Sequence, residues 1–299
     1  MKNVNKYLLL IAIFMAVFQH TNAQNLDSLM NLEATEETIY TTATFKATKL
    51  INGHSIETPS KGVLQFMILH RFGVISNGLY DFFGLDNATI RLGLDYGISE
   101  RFAIGIGRST VEKAVDGYLK YKILRQSQGE NEMPVTLTAV LASSANTVKF
   151  YNTEFDYKFR HRLNYTSQLL VARKFNSSLS LQLMPTLIHK NLVDSLSFNN
   201  TIFSIGAGGR IKLTKRFALT FEYYYVTPNQ LGSVYKNALA IGVDIETGGH
   251  VFQFHFTNAF GMTDPQFITE TTDSWLDRNF RLGFNISRAF RTSKASKNW

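Results

Sequence analysis

Phe280-Arg281-Leu282-Gly283-Phe284-Asn285-Ile286-Ser287 is the stretch that decides the fold. Large apolar side chains stand at 280, 282, 284 and 286, and polar or small ones at 281, 283, 285 and 287. Successive side chains of a β-strand point to opposite faces, so this is a strand with one greasy and one wet surface. Working back towards Gly62, the same alternation marks twelve segments: approximately 62–70, 88–97, 101–109, 115–123, 134–143, 163–173, 178–189, 201–213, 216–226, 234–246, 249–258 and 279–290. Many are near ten residues long, where soluble proteins average roughly 5–6 and a tilted transmembrane strand needs roughly 9–11. The expected fold is therefore all-β: an antiparallel transmembrane β-barrel of about 12 strands. Residues 40–51 are a candidate for one strand more. A soluble sandwich would show short strands with turns every 8–12 residues, and these lengths oppose it.

The connections agree. Short links at Ile98–Glu100, Lys174–Ser177, Thr214–Lys215 and Thr247–Gly248 alternate with longer ones such as 71–87, 144–162 and 259–278. Outer-membrane barrels carry short periplasmic turns and longer outer loops. Leu124–Met133 departs from that rule, being long and polar where a short turn belongs. Tyr96, Tyr165, Tyr223 and Tyr225 fall on greasy faces and suit the membrane–water boundary.

Before the strands, Lys2 and Lys6 precede an apolar stretch, Tyr7 to Phe18, and Thr21-Asn22-Ala23 offers a small-residue cleavage site. This reads as a signal peptide over 1–23, too short to span a bilayer as a helix. The expected layout is signal peptide 1–23, periplasmic N-terminal segment 24–60, barrel 61–290 and polar C-terminal tail 291–299. Phe290 ends the last amphipathic strand, as in barrel proteins recognised for membrane insertion, although the chain continues past it. Outer-membrane lipid and, during insertion, the barrel-assembly machinery are the expected partners, in a Gram-negative outer membrane.

Composition excludes other classes. The chain has no cysteine, so no disulfide or thiol chemistry, and its net charge of +8 is scattered. A nucleic-acid groove needs clustered basic residues with stacking aromatics; here the aromatics lie on greasy strand faces, and nucleic acid is not an expected partner. Seven histidines are scattered without metal-ligand spacing, and no phosphate loop precedes a helix. No cofactor is expected.

The wet faces should line a lumen. They carry Arg91, Asp95, Asp116, Lys120, Lys122, Arg210, Glu222, Lys236, Asp244, His255 and Arg281, with glycines among them. Such a lumen either conducts or is closed by a salt-bridged plug. In a conducting one, Arg91, Asp95, Lys120, Glu222 and Arg281 would tune which charges pass. His70, Arg71 and Arg108 fall near the outer strand ends beside Asp81 and Asp86, forming a charged outer mouth or an ion-paired loop. Outer-membrane hydrolases activate a serine through a histidine; here His54-Ser55 are sequence neighbours that seldom face each other, and His70 with Ser109 is the other pairing. Passage or uptake of a small hydrophilic solute through a narrow lumen is the leading expectation, a plugged structural or partner-binding barrel the second, and a hydrolase the third.

Ile51-Asn52-Gly53-His54-Ser55, His70-Arg71-Phe72-Gly73, Phe83-Gly84-Leu85-Asp86, Arg91-Leu92-Gly93-Leu94-Asp95-Tyr96-Gly97 and Gly105-Ile106-Gly107-Arg108-Ser109 together resemble an uncharacterised family of outer-membrane β-barrels of Gram-negative bacteria, a domain of unknown function. The resemblance covers most of the chain after the signal, most specifically between about residues 45 and 135. It implies the barrel and adds no ligand or reaction.

Overall fold

The computed structural model describes residues 37–149, 156–193 and 198–292. The expected signal peptide over 1–23 lies outside them, as does the tail beyond Thr292. From Thr38 onwards the described residues belong to one compact unit. Its frame is a closed twelve-stranded barrel. The strands are β1 Val63–Val74, β2 Ala88–Gly97, β3 Phe102–Ser109, β4 Val115–Leu124, β5 Thr136–Ala145, β6 Leu163–Lys174, β7 Leu179–Lys190, β8 Thr201–Lys212, β9 Phe217–Val226, β10 Leu239–Thr247, β11 His250–Thr257 and β12 Arg281–Arg291. Each pairs antiparallel with its sequence neighbours. β12 closes on β1, Arg291 opposite Val63 and Arg281 opposite Val74, with a bulge between Arg281 and Gly283. Closure leaves no barrel strand with an unpaired edge, the condition for spanning lipid with strands.

The alternation survives in three dimensions. In β12, Arg281, Gly283, Asn285 and Ser287 are buried inside while Leu282, Phe284 and Ile286 stay accessible outside. The tyrosines at 165, 223 and 225 likewise point outwards and are exposed. Residues 98–101, 125–135, 175–178, 213–216 and 248–249 connect strands at one end, which also receives both ends of the barrel. Longer loops crowd the other, although residues 110–114 make a short connection there.

Two sequence expectations change. The tenth strand starts at Leu239, not 234, because the residues before it bond elsewhere. Lys236 N–H donates to the Thr271 carbonyl, and Asn237 Oδ1 accepts from Val226 N–H. Residues 40–51 add no strand to the barrel: Ile39–Tyr40 form a two-residue ladder with Ser127–Gln128 at the short-turn end. From Thr44 the chain is buried within the barrel.

Candidate functional site

The chain from Thr44 to Ser55 has no run of large apolar residues, yet it is buried at every position but Lys46. It enters the lumen from the short-turn end and reverses in a tight hairpin. Leu50 N–H donates to the Gly53 carbonyl at 2.9 Å and Ser55 N–H to that of Thr48 at 3.1 Å. Within the N-terminal segment 24–60, whose placement the sequence left open between a plug and a free segment below the barrel, residues 44–58 form a plug.

A backbone removed from water must find other partners, and the inward side chains of the wall supply them. At the hairpin tip the amides of Ile51, Asn52 and Gly53 all donate to the Glu222 carboxylate, at 3.2, 2.8 and 3.1 Å. Donors to an ionised acceptor give the stronger class of hydrogen bond, and three converging amides form an anion cradle. Around the tip, Gln253 donates to the Leu50 carbonyl, Asn285 to that of Ile51, and Arg71 to the Asn52 side chain. Lower down, Lys120 Nζ donates to the carbonyls of Thr48, Ser55 and Glu57 at 3.0, 3.0 and 3.1 Å. Gln182 bonds both the His54 carbonyl and the Ile56 amide.

A second piece enters from the long-loop end. The connection from β11 to β12 turns inwards over residues 259–271, carrying a short helix, α1 (Asp264–Thr269), that is buried throughout. Thr263 and Gln266 form a capping box, with Pro265 in the first turn, the chemistry that starts a helix where N–H groups lack partners. Phe267 meets Tyr224 edge to face at 5.1 Å. Phe45, Leu50 and Ile56 of the hairpin join Phe267 and Ile268 in one apolar cluster with wall residues Val140, Leu170, Met184 and Ile188. The lumen therefore contains a hydrophobic core of its own.

The two pieces meet through charge. Asp264 lies 3.9 Å from Lys49 and 3.6 Å from His54. Burial, and next the Lys49 ammonium, push the His54 imidazole down to about 3, so it is neutral at pH 7. Burial also lowers Lys49, against the pull of Asp264. For Asp264 burial acts upwards, but the Lys49 charge and a hydrogen bond from the His54 ring outweigh it and hold the carboxyl below the usual range.

Above and below this seal two cavities remain. One, of about 330 Å³, opens at the short-turn end among Lys46, Glu57, Lys122, Arg125 and Glu246. The other, of about 340 Å³, opens at the long-loop end among Glu112, Asn146, Arg162, Lys190 and Glu270. Between them the void at Lys49, His54 and Asp264 is about 10 Å³, room for about one water. The buried hairpin and α1 occupy the lumen between the two larger cavities.

Ten of the eleven lumen residues named from sequence point inwards. Arg91 grips Asp116 through two bonds of 2.9 and 2.5 Å, and Gly107 makes room, since a Cβ there would strike that guanidinium. Asp95 accepts from Thr48 of the plug, Lys122 faces Glu57 at 3.7 Å, and Asp244 accepts from Gln253. Arg281 pairs with Asp273 of the inserted loop and sits over the Phe260 ring. His255 is buried beside Gly283, and Arg210 is buried on β8. Lys236 is the correction: it is exposed, outside the strand, with Nζ on the Ser233 carbonyl.

The outer-mouth group does not assemble. Arg71 is fully buried in the lumen, whereas His70, one residue away on the other face, stacks on Phe284 outside at 4.7 Å. Arg108 is exposed on the outer surface, and Asp81 bonds Asn77 within its own loop while Asp86 is exposed. The period of two separates His70 from Arg71. It also parts the expected hydrolase pair, since Ser109 is buried inside the barrel while His70 faces out. Sequence reasoning missed the plug residues Lys49, Asn52 and Asp264. Their one signal was local: a polar hairpin sequence, Asn52-Gly53, beside residues of matching polarity only in space.

A family model described as "Membrane bound beta barrel domain (DUF5777)" matches residues 45–290. The chain belongs to this membrane-bound β-barrel family. The match begins at the plug hairpin, so the family domain comprises wall and plug together. No curated protein matches the chain. Among solved structures, the NanC porin is 11% identical, with TM-score 0.48, over 76% of this chain and 98% of its own. The KdgM porin is 10% identical, with TM-score 0.47, over 76% and 99%. An outer-membrane channel from Pseudomonas putida F1 is 13% identical, with TM-score 0.44, over 78% and 97%. These likenesses assign no cargo to this family member.

Proposed function

We propose that this protein is an outer-membrane channel for small hydrophilic solutes, closed in the described conformation by its own N-terminal hairpin and inserted loop, with passage rather than catalysis as its activity. The observation that carries the reading is the pair of vestibules, about 330 and 340 Å³, each with charged side chains in its lining, on either side of the seal. Conduction requires the hairpin, the inserted loop or both to shift. The wall charges at Arg91, Asp95, Lys120, Glu222 and Arg281 would then line the path and set its charge preference. The barrel supports placement in a Gram-negative outer membrane, and the short apolar stretch at Tyr7–Phe18 supports export by a cleaved signal peptide.

The test is planar-bilayer conductance of the intact protein beside a variant lacking residues 43–58. The intact barrel is expected to be silent or to open in brief steps, and the deletion to conduct steadily, with ion selectivity altered by Lys120→Glu. A deletion variant that inserts, keeps heat-modifiable mobility and passes no current would sink the channel reading. It would leave a sealed barrel, which the dense bonding of the hairpin also suits.

A further inference from the structure

The β1–β2 connection presents an apolar surface that no described residue covers. Within Ile75–Leu85, Leu79 is 79% exposed, Tyr80 93%, Phe82 58% and Phe83 47%. Ordinary loop chemistry would put polar side chains here. Phe82 and Phe83 are also held at φ of 46° and 54°, a region that bulky residues seldom enter. The loop is well anchored. Gly73 N–H donates to the Asn87 carbonyl and Ile75 N–H to that of Phe280, each at 2.9 Å. Gly84 packs on the Gly73 backbone so closely that a Cβ would clash. Ser76 bonds Asn279 at 2.6 Å.

We infer that this loop is a lipid anchor, seating Leu79, Tyr80, Phe82 and Phe83 in the outer leaflet of the membrane around the barrel rim. The loop joins two strands whose outward faces already meet lipid: β1 and β2 present Phe72 and Ile90 outwards, and on the neighbouring β12 Phe284 stands opposite His70. Trp275 stacks on Phe280 at 4.7 Å at the same rim, where interfacial aromatics gather. The loop lines neither vestibule, so it does not serve the solute path. It contains Asp81 and Asp86 but no Lys or Arg, so contact runs through apolar insertion and not through phosphate pairing.

The absence of cysteine from the whole chain permits clean single-site labelling. Tyr80→Cys and Phe83→Cys, each carrying an environment-sensitive nitrobenzoxadiazole probe, would be reconstituted in phosphatidylcholine–phosphatidylglycerol vesicles. Lys113→Cys, exposed at another connection of the same rim, is the control. Both loop probes are expected to emit further to the blue than the control and to lose most intensity to lipid-borne nitroxides, more to shallow labels than to deep ones. Emission matching the control at both positions would overturn the anchor. So would blue emission that ignores lipid nitroxide and fades when labelled protein is diluted with unlabelled, the signature of a second copy covering the loop.

Discussion

Two arcs of the barrel wall face the same plug with different chemistry. On β5, β6 and β7 the inward side chains are uncharged, among them Thr138, Val140, Gln168, Leu170, Gln182 and Met184, with charge only at the strand ends in Lys174 and Lys190. The remaining strands hold Arg71, Arg91, Asp95, Lys120, Glu222, Asp244, His255 and Arg281 inside. The uncharged arc meets apolar residues of the hairpin and α1. The charged arc meets backbone: Glu222 takes three amides and Lys120 three carbonyls. One arc binds mainly by area, with Gln182 its directional contact to the hairpin backbone; the other binds by geometry and fixes the register of the hairpin tip. A lumen charge is therefore insufficient evidence of a solute path, because a buried backbone asks for the same residues.

The largest break in this comparison is expected from Glu222→Ala. It leaves three buried amides without an acceptor, at roughly 1–3 kcal/mol for each unsatisfied group. The hairpin should leave the lumen, seen as new protease cleavage within residues 43–58 and as current across a bilayer. Unchanged protection and silence would show that the charged arc does not hold the plug. On the other arc, Leu170→Ala should cost about 2–5 kcal/mol, read as a lower temperature for conversion of the folded gel band. Because hydrogen bonds still register the hairpin, the effect on current should be much smaller than that of Glu222→Ala.

Acidification probes the seam between the two inserted pieces. His54 is held down to about 3 from an ordinary 6.5. The folded state therefore binds fewer protons than the released one between these values. Stability of the closed form is full above about 6.5 and declines as pH falls towards 3, with a cost of about 2 kcal/mol near pH 5 from this group. Asp264, depressed as well, adds loss in the same direction at lower pH. Channel opening should rise between pH 7 and pH 4, and His54→Gln should flatten the rise. The smallest effect belongs outside: His70→Leu replaces a ring packed on Phe284 and Phe72 and should shift stability by less than about 1 kcal/mol.

Wall positions were legible because each was told by its immediate neighbours. Arg281 follows Phe280 and precedes Leu282, so its face needed no knowledge of the rest of the chain. Lys236 misled because a polar loop residue beside Ala238 and Ala240 continues the same alternation, and only its bond to Thr271 removes it from the ladder. Arg71 misled differently: its place near a strand end suggested a rim, while the side chain reaches back to Asn52 and Asn285.

The sequence by itself determined an antiparallel barrel of about twelve strands, the face of nearly every strand residue and which end carries short turns. A period of two, a membrane-length strand and a turn are all local quantities. Only the tertiary structure decided what fills the barrel. Residues 44–58 carry no repeating pattern, and their position depends on bonds to groups some 170 residues distant, such as that from Asn52 to Glu222. Alternation states that a side chain points inwards; whether water, solute or the chain's own backbone waits there is settled by the partners that folding brings within hydrogen-bond reach.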